Sequence, residues 1–203
     1  MKDTTARRAI ACAVALLALP VAATSAAAEF PTRVTTYVPV VPANGKVVAG
    51  SCWTRSIAAP TRSDTYRCMV SNAIYDPCFT PKRPGVAVCD VNPVAGGRGF
   101  ALRLTKPLPD EPVFTGRAQP WLVQLADGEV CMPLTGTHEA IRGETILYEC
   151  SGSRAPMNRM SGLIAGSFTA GTVWHVRQAV YQVGRSGQVS GTVRTVPVGA
   201  VWR

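Results

Sequence analysis

The sequence predicts a mainly β fold: a single antiparallel barrel or sandwich of about 7–8 short strands, with one short helix in a disulfide-rich segment. Three observations predict it. Short runs rich in valine, threonine and aromatic residues recur between clusters of glycine, proline, asparagine and aspartate, the usual punctuation of antiparallel sheets. An Asp127-Gly128 pair stands between two apolar runs, a strong local hairpin signal. Six cysteines follow residue 28, an even set of the kind that staples exported domains.

The chain opens on an export segment. Lys2, Arg7 and Arg8 give a positive start opposed only by Asp3, an apolar run follows from Ala9 to Ala23, and Ala26-Ala27-Ala28 precedes Glu29. Charge, a short apolar core and an A-x-A site are what signal peptidase needs, so residues 1–28 are expected to leave by cleavage near Ala28. The run is shorter than the ~20 residues that span a bilayer, and no later segment could stop transfer, so no transmembrane segment is expected in the mature chain. Arg7-Arg8 fits a twin-arginine signal poorly, and Cys12 is badly placed for lipidation. Cleavage turns an odd seven cysteines into six and leaves about 175 of 203 residues, a size that suits one domain with a real core.

Removing Lys2, Arg7, Arg8 and Asp3 from the net charge of +9 leaves +7. That charge is mostly arginine spread from Arg33 to Arg203, with Lys82-Arg83 the one adjacent basic pair of the mature chain. Nucleic-acid binders concentrate charge on a stripe or interleave it with aromatics, so no specific nucleic acid is expected. A basic solvated surface with some attraction for anionic envelope polymers fits the pattern.

Residues 29–45 carry Pro31, Pro39 and Pro42 among valines and threonines, an extended Pro-containing lead-in or edge strand. The disulfide-stabilised β domain then runs over residues 46–203. Lys46–Trp53 is its first strand. From about residue 63 to 71 the pattern turns helical: Tyr66, Met69, Val70, Ala73 and Ile74 fall at i, i+3, i+4, i+7 and i+8. Ser63 can cap that helix, Asp64 suits its first turn, and Pro77 ends it. Gly85–Val91 and Phe100–Thr105 are strands around a turn at Gly96-Gly97, and Pro107–Pro112 is a connector.

Trp121–Leu134 is expected as a hairpin with a two-residue type I′ turn at Asp127-Gly128. That register opposes Leu125 to Val130, Gln124 to Cys131 and Val123 to Met132. Trp121, Val123, Leu125, Val130 and Met132 then share the core face, and Cys131 faces the other way, toward Cys150 of the Thr145–Cys150 strand. Ser151–Gly171 reads as a long loop around Leu163-Ile164. Thr172–Val183 and Thr192–Trp202 are strands joined near Ser186-Gly187.

The cysteines are Cys52, Cys68, Cys78, Cys89, Cys131 and Cys150. Spacing favours Cys131–Cys150 as one bridge and leaves the first four to pair among themselves in an open order. No C-x-x-C is present and neither histidine has metal-ligand spacing, so neither a metal nor a cofactor is expected.

Catalytic signals are poor. His138 lies in a polar loop beside Glu139, His175 alternates with apolar neighbours in a strand, and there is no G-x-S-x-G elbow. Asp64, Asp76, Asp90 and Glu149 form a carboxylate site only if folding brings two of them into one cleft. Gly96-Gly97-Arg98-Gly99 lacks the helix and Lys-Ser/Thr pair of a phosphate loop. Trp53, Arg55, Arg67, Asn72 and Tyr75 lie on or beside the cysteine-anchored segment and are of the types that dominate interface energetics. The plainer alternative packs Trp53 on a disulfide and Tyr75 in the core.

Ser51-Cys-Trp-Thr54, Tyr66-Arg-Cys-Met69 and Asn72-Ala-Ile-Tyr-Asp-Pro-Cys-Phe79 resemble a domain of exported bacterial proteins, actinomycetes included. Pro120-Trp121-Leu122, Asp127-Gly-Glu-Val-Cys131, Leu134-Thr-Gly136, Leu147-Tyr-Glu-Cys150 and Thr172-Val-Trp174 agree with it, so the resemblance spans roughly Gly50 to Trp202. The family is uncharacterised. The resemblance implies an exported setting and a shared fold, and brings no catalytic residues.

The expected function is therefore a secreted or envelope-associated binding module without catalysis, whose partner is an envelope or extracellular protein, glycan or anionic polymer. The rivals are an envelope hydrolase using carboxylates of the cysteine-rich segment, and a secreted protease inhibitor presenting a loop such as Ala58–Arg62.

Overall fold

β-Branched and aromatic side chains pack on a pleated surface more readily than on a helix, and the chain follows that preference throughout. The computed structural model describes residues 30–151 and 159–203 and contains thirteen strands and no helix among them. The expected export segment lies outside the described residues.

The lead-in forms β1 (Arg33–Thr35), which pairs in parallel with the last strand, Arg33 opposite Ala200. Five strands then close a small barrel: β2 (Val47–Arg55), β3 (Thr65–Val70), β4 (Ala73–Phe79), β5 (Val86–Cys89) and β6 (Phe100–Leu104). Its ladders are antiparallel except the closing seam, where β2 and β6 run parallel. The second sheet holds β1 with β7 (Leu122–Leu125), β8 (Val130–Pro133), β9 (Ala140–Ile141), β10 (Glu144–Ser151), β11 (Met160–Ile164), β12 (Trp174–Val183) and β13 (Val189–Trp202). Its order is β1-β13-β12-β11-β10-β8-β7, and β7 also pairs with β13, which closes six strands into a second ring. The mainly β, disulfide-braced fold is present, built as two closed sheets.

Three local expectations are corrected. No helix forms over residues 63–71: β3 and β4 make a hairpin there, turning on Ser71-Asn72 with Ser71 at φ 53°. A period-2 pattern overlies the helical one, because Tyr66 and Cys68 point inward while Met69 faces solvent. Burial against β2 and the Cys52–Cys68 bridge decide in its favour.

The β7–β8 hairpin slips by one residue from expectation. Leu125 donates its N–H to the Glu129 carbonyl at 2.8 Å and Gly128 donates to the Leu125 carbonyl at 3.0 Å, so the loop has three residues, with Gly128 at φ 93°. A type I turn followed by a left-handed glycine is the next commonest hairpin after the two-residue forms. Val123 therefore opposes Cys131, and Gln124 opposes Val130. A one-residue slip exchanges faces: Cys131 joins Val123 and Leu125 in the core, while Val130 and Met132 turn to the other side. The two-residue turn with both φ positive sits elsewhere, at Arg142 (52°) and Gly143 (80°) between β9 and β10.

Ser151–Gly171 is not one long loop, since β11 pairs there with both β10 and β12. Gly162 lets β10 approach: an added Cβ would lie 2.5 Å from the Tyr148 carbonyl oxygen.

Three disulfides brace the sheets: Cys52–Cys68, Cys78–Cys89 and, as expected, Cys131–Cys150. Cys131 and Cys150 face each other directly across β8 and β10. The barrel encloses one cluster around Cys68, Cys78 and Leu102, and the second ring encloses another around Tyr148, Leu163 and Val176. A third cluster joins the two sheets: Phe79 and Val88 of the barrel pack with Trp121, Leu122 and Trp202 of the ring, and Tyr37 covers them. Tyr37, Phe79 and Trp121 stack mutually, with ring centroids 4.7–5.4 Å apart.

Candidate functional site

Interruptions of the sheet place the first group of candidate residues. Cys52 opposes Cys68 and Thr54 opposes Arg67, which leaves Trp53 as a bulge on β2. Across β3, Tyr66 opposes Cys78 and Cys68 opposes Tyr75, so Arg67 faces the pair Asp76-Pro77, whose peptide bond is cis. Bulges re-aim side chains out of the regular pleat and concentrate beside functional sites. Here they gather Trp53, Arg67 and Asp76 from three adjacent strands. The Arg67 guanidinium lies over the Trp53 ring at 5.7 Å, and its Nη2 donates to the Thr135 carbonyl at 3.0 Å.

Asp76 is held by groups from the β2–β3 loop. The Ser56 hydroxyl donates to Asp76 Oδ1, and the Ile57 N–H donates to Oδ2 at 3.1 Å. Burial pushes the Asp76 carboxyl above the ordinary aspartate range, against the opposing pull of Ser56, the Ile57 and Ala58 amides and Arg67.

Trp53 is 43 % exposed, and the same outer face carries Met69 at 42 % and its cross-strand partner Ile74 at 51 %. Ile57 extends this exposed apolar set beyond the end of β2. The remaining candidates lie elsewhere. Arg55 stacks on Tyr66 at 4.6 Å, donates to the Ser63 and Glu111 carbonyls, and holds the Pro107–Pro112 connector against the barrel. Glu111 accepts from Arg55 N at 3.0 Å and Thr54 Oγ1 at 2.7 Å, which lowers its pKa. Tyr75 packs edge-on to Phe100 at 4.9 Å, and Asn72 is exposed at the tip of the β3–β4 hairpin.

Two of the four carboxylates have partners of their own, and the other two sit on different elements. Asp64 pairs with Arg62 at 2.6 Å, Asp76 with Ser56, Asp90 sits exposed at φ 58° in the turn after β5, and Glu149 lies on β10 of the other sheet. His138 is exposed, and His175 is half-buried with its backbone bridged to Thr169. The sulfurs of Cys68, Cys78 and Cys89 lie within 4.8 Å of one another, and all three belong to disulfides. Ala58 and Ala59 of the Ala58–Arg62 segment are buried.

A second site escapes sequence reading because it is assembled from distant segments. Between the two sheets, the β2–β3 loop meets residues 117–121 and Arg203 in a two-lobed cleft. Thr61, Arg62, Asp64, Gln119, Trp121 and Arg203 line a lobe of about 610 Å3. Arg117, Gln119, Phe168, Trp174 and Arg203 line a lobe of about 330 Å3, so Gln119 and Arg203 belong to both. Trp121 is 1 % exposed, and its indole Nε1–H has no hydrogen-bond partner among the described residues. Gln119 Oε1 is likewise buried and unpartnered among them. A buried donor and a buried acceptor left unsatisfied each cost about 1–3 kcal/mol, so such groups call for an external partner. Arg62 donates to both Asp64 carboxylate oxygens and to the Tyr37 and Arg203 carbonyls.

No family model, curated protein or solved structure matches this chain.

Proposed function

We propose that the mature protein is an exported, non-catalytic binding module that docks a partner protein through the outer face of β2–β4. The observation that carries this reading is the exposed apolar set Trp53, Met69 and Ile74 on a disulfide-anchored sheet, with Arg67 lying over the tryptophan. Tryptophan, methionine and arginine are enriched at interfaces, and a rigid support spares the entropy of ordering them on binding. The three disulfides suit an oxidising compartment, and no helix among the described residues is long and apolar enough to cross a membrane.

Export by cleavage near Ala28 and kinship with exported bacterial proteins belong to the same reading. Mass spectrometry of the exported protein should find Glu29 as the first residue. The separate partners of Asp64 and Asp76 weigh against the hydrolase, and the burial of Ala58 and Ala59 weighs against an inhibitory loop.

The direct test places a photo-crosslinking benzoylphenylalanine at position 69 in the cells that make the protein. A single protein adduct is expected, which Trp53→Ala or Ile74→Arg diminishes. Adducts no more specific than those from the exposed turn at Arg185 would remove the proposal.

A further inference from the structure

The two-lobed cleft between the sheets is built to hold a ligand of its own. Its unsatisfied groups are complementary in kind, since Trp121 Nε1–H can only donate and Gln119 Oε1 can only accept. A hydroxyl can both donate and accept, so a polyhydroxylated molecule is matched in kind to both atoms. No backbone or side-chain group among the described residues partners either atom.

The second lobe adds two further features. Phe168 and Trp174 line it and are half-buried, so each leaves part of its side chain open, and aromatic rings are the surfaces on which the apolar faces of sugar rings pack. Arg117 and Arg203 also line it, and neither guanidinium has a side-chain partner among the described residues. Free guanidinium forks favour carboxylate or phosphate oxygens, which they can bind in a bidentate manner. The lobes, about 610 and 330 Å3, fall in the range of small-molecule sites and share Gln119 and Arg203 as a common wall.

We propose that this cleft binds an acidic saccharide of at least two linked units, one sugar in each lobe. Hydroxyls of the first unit meet Trp121 Nε1 and Gln119 Oε1. The second unit packs against Trp174 and turns its acidic group to Arg203 and Arg117. This site is separate from the outer face of β2–β4 and does not depend on it. Together they would let one molecule hold an anionic glycan and a protein partner at the same time.

Four tryptophans make the test direct, because the 15N-labelled oxidised protein gives one indole N–H signal each for Trp53, Trp121, Trp174 and Trp202. Trp121→Phe, which keeps an aromatic ring in place, assigns its signal. The probes are N-acetylglucosaminyl-N-acetylmuramic acid, digalacturonic acid, neutral cellobiose, a blocked tetra-alanine peptide and inorganic phosphate. The expected result is a saturable shift of the Trp121 and Trp174 signals with at least one acidic disaccharide, while Trp53 stays in place. Cellobiose should bind at least about tenfold more weakly, and Arg203→Ala and Gln119→Leu should each weaken the acidic probe by a similar factor. Each variant is first shown to keep the wild-type Trp53 and Trp202 signals, so that loss of binding is separated from loss of fold. The assignment is overturned if neither acidic disaccharide moves Trp121, if cellobiose or phosphate alone matches their effect, or if only the peptide binds. An unmoved Trp53 separates this outcome from that of the docking face.

Discussion

Asp76 concentrates the physical tension of the barrel. It is a carboxylate on β4, enclosed by the β2–β3 loop, and burial is the chief cause of its raised pKa. Because the native value exceeds the unfolded one, folding takes up a proton within the window between them. The stability this group contributes is complete below the ordinary aspartate range and is lost as the pH rises through the higher native value. The difference in urea midpoint between wild type and Asp76→Asn, which cannot ionise, should therefore move against the wild type on going upward from about pH 4. Midpoints of both proteins at several pH values read this; parallel profiles would acquit this carboxyl. Of the five interface candidates, Trp53 and Arg67 come together because bulges on neighbouring strands aim them at each other. Nothing in their spacing announces a bulge. Arg55 and Tyr75 have the right chemistry for an interface, but their own fold uses it.

Among the elements, close approach of strands is the feature most exposed to substitution. At Gly162 on β11 an added methyl would meet Ile146 Cγ2 and the Tyr148 carbonyl oxygen, both at 2.5 Å. Gly162→Ala should cost roughly 1–3 kcal/mol in chemical denaturation. Gly136→Ala, where nothing lies within 4 Å and φ is ordinary, should leave stability within about 0.5 kcal/mol. Strands rich in β-branched residues, such as β5, β12 and β13, were legible because local propensity and burial agree in them. The segment over residues 63–71 was not, because one set of apolar residues satisfies two periods and only the partner strands choose between them. The Asp127-Gly128 hairpin was legible as a hairpin, but its loop length was not. Asp-Gly serves a three-residue loop as well as a two-residue one, and Arg142-Gly143 shows that the latter needs no aspartate. The Cys131–Cys150 bridge survives the slip because both cysteines move to the same face.

At the scale of the molecule, the sheets are coupled through one aromatic junction. Phe79 is wholly buried between Tyr37 and Trp121, and Phe79→Ala should cost about 3–5 kcal/mol. A barrel transition that separates from that of the ring in calorimetry of this variant would show that the junction is what makes them melt together. Replacing Cys131 and Cys150 by alanine should cost about 2–4 kcal/mol, seen as a lower urea midpoint. The cleft was invisible in the sequence for a reason of the same scale. Arg62, Gln119, Trp121 and Arg203 acquire a common purpose only after both rings have closed, and an unsatisfied indole is a property of surroundings, not of composition.

The pairing of β1 with the end of β13 also has a bearing on time. Arg33 meets Ala200 and Thr35 meets Trp202, so the earliest described strand has no partner until nearly the whole chain is present. The same stretch of β13 closes the ring against β7. Contacts between such remote positions form slowly, because a long loop must be drawn shut before anything rewards it. A chain made with its first residues leading can thus assemble its barrel early, but must leave β1 and one edge of β7 unpaired until its last strand arrives.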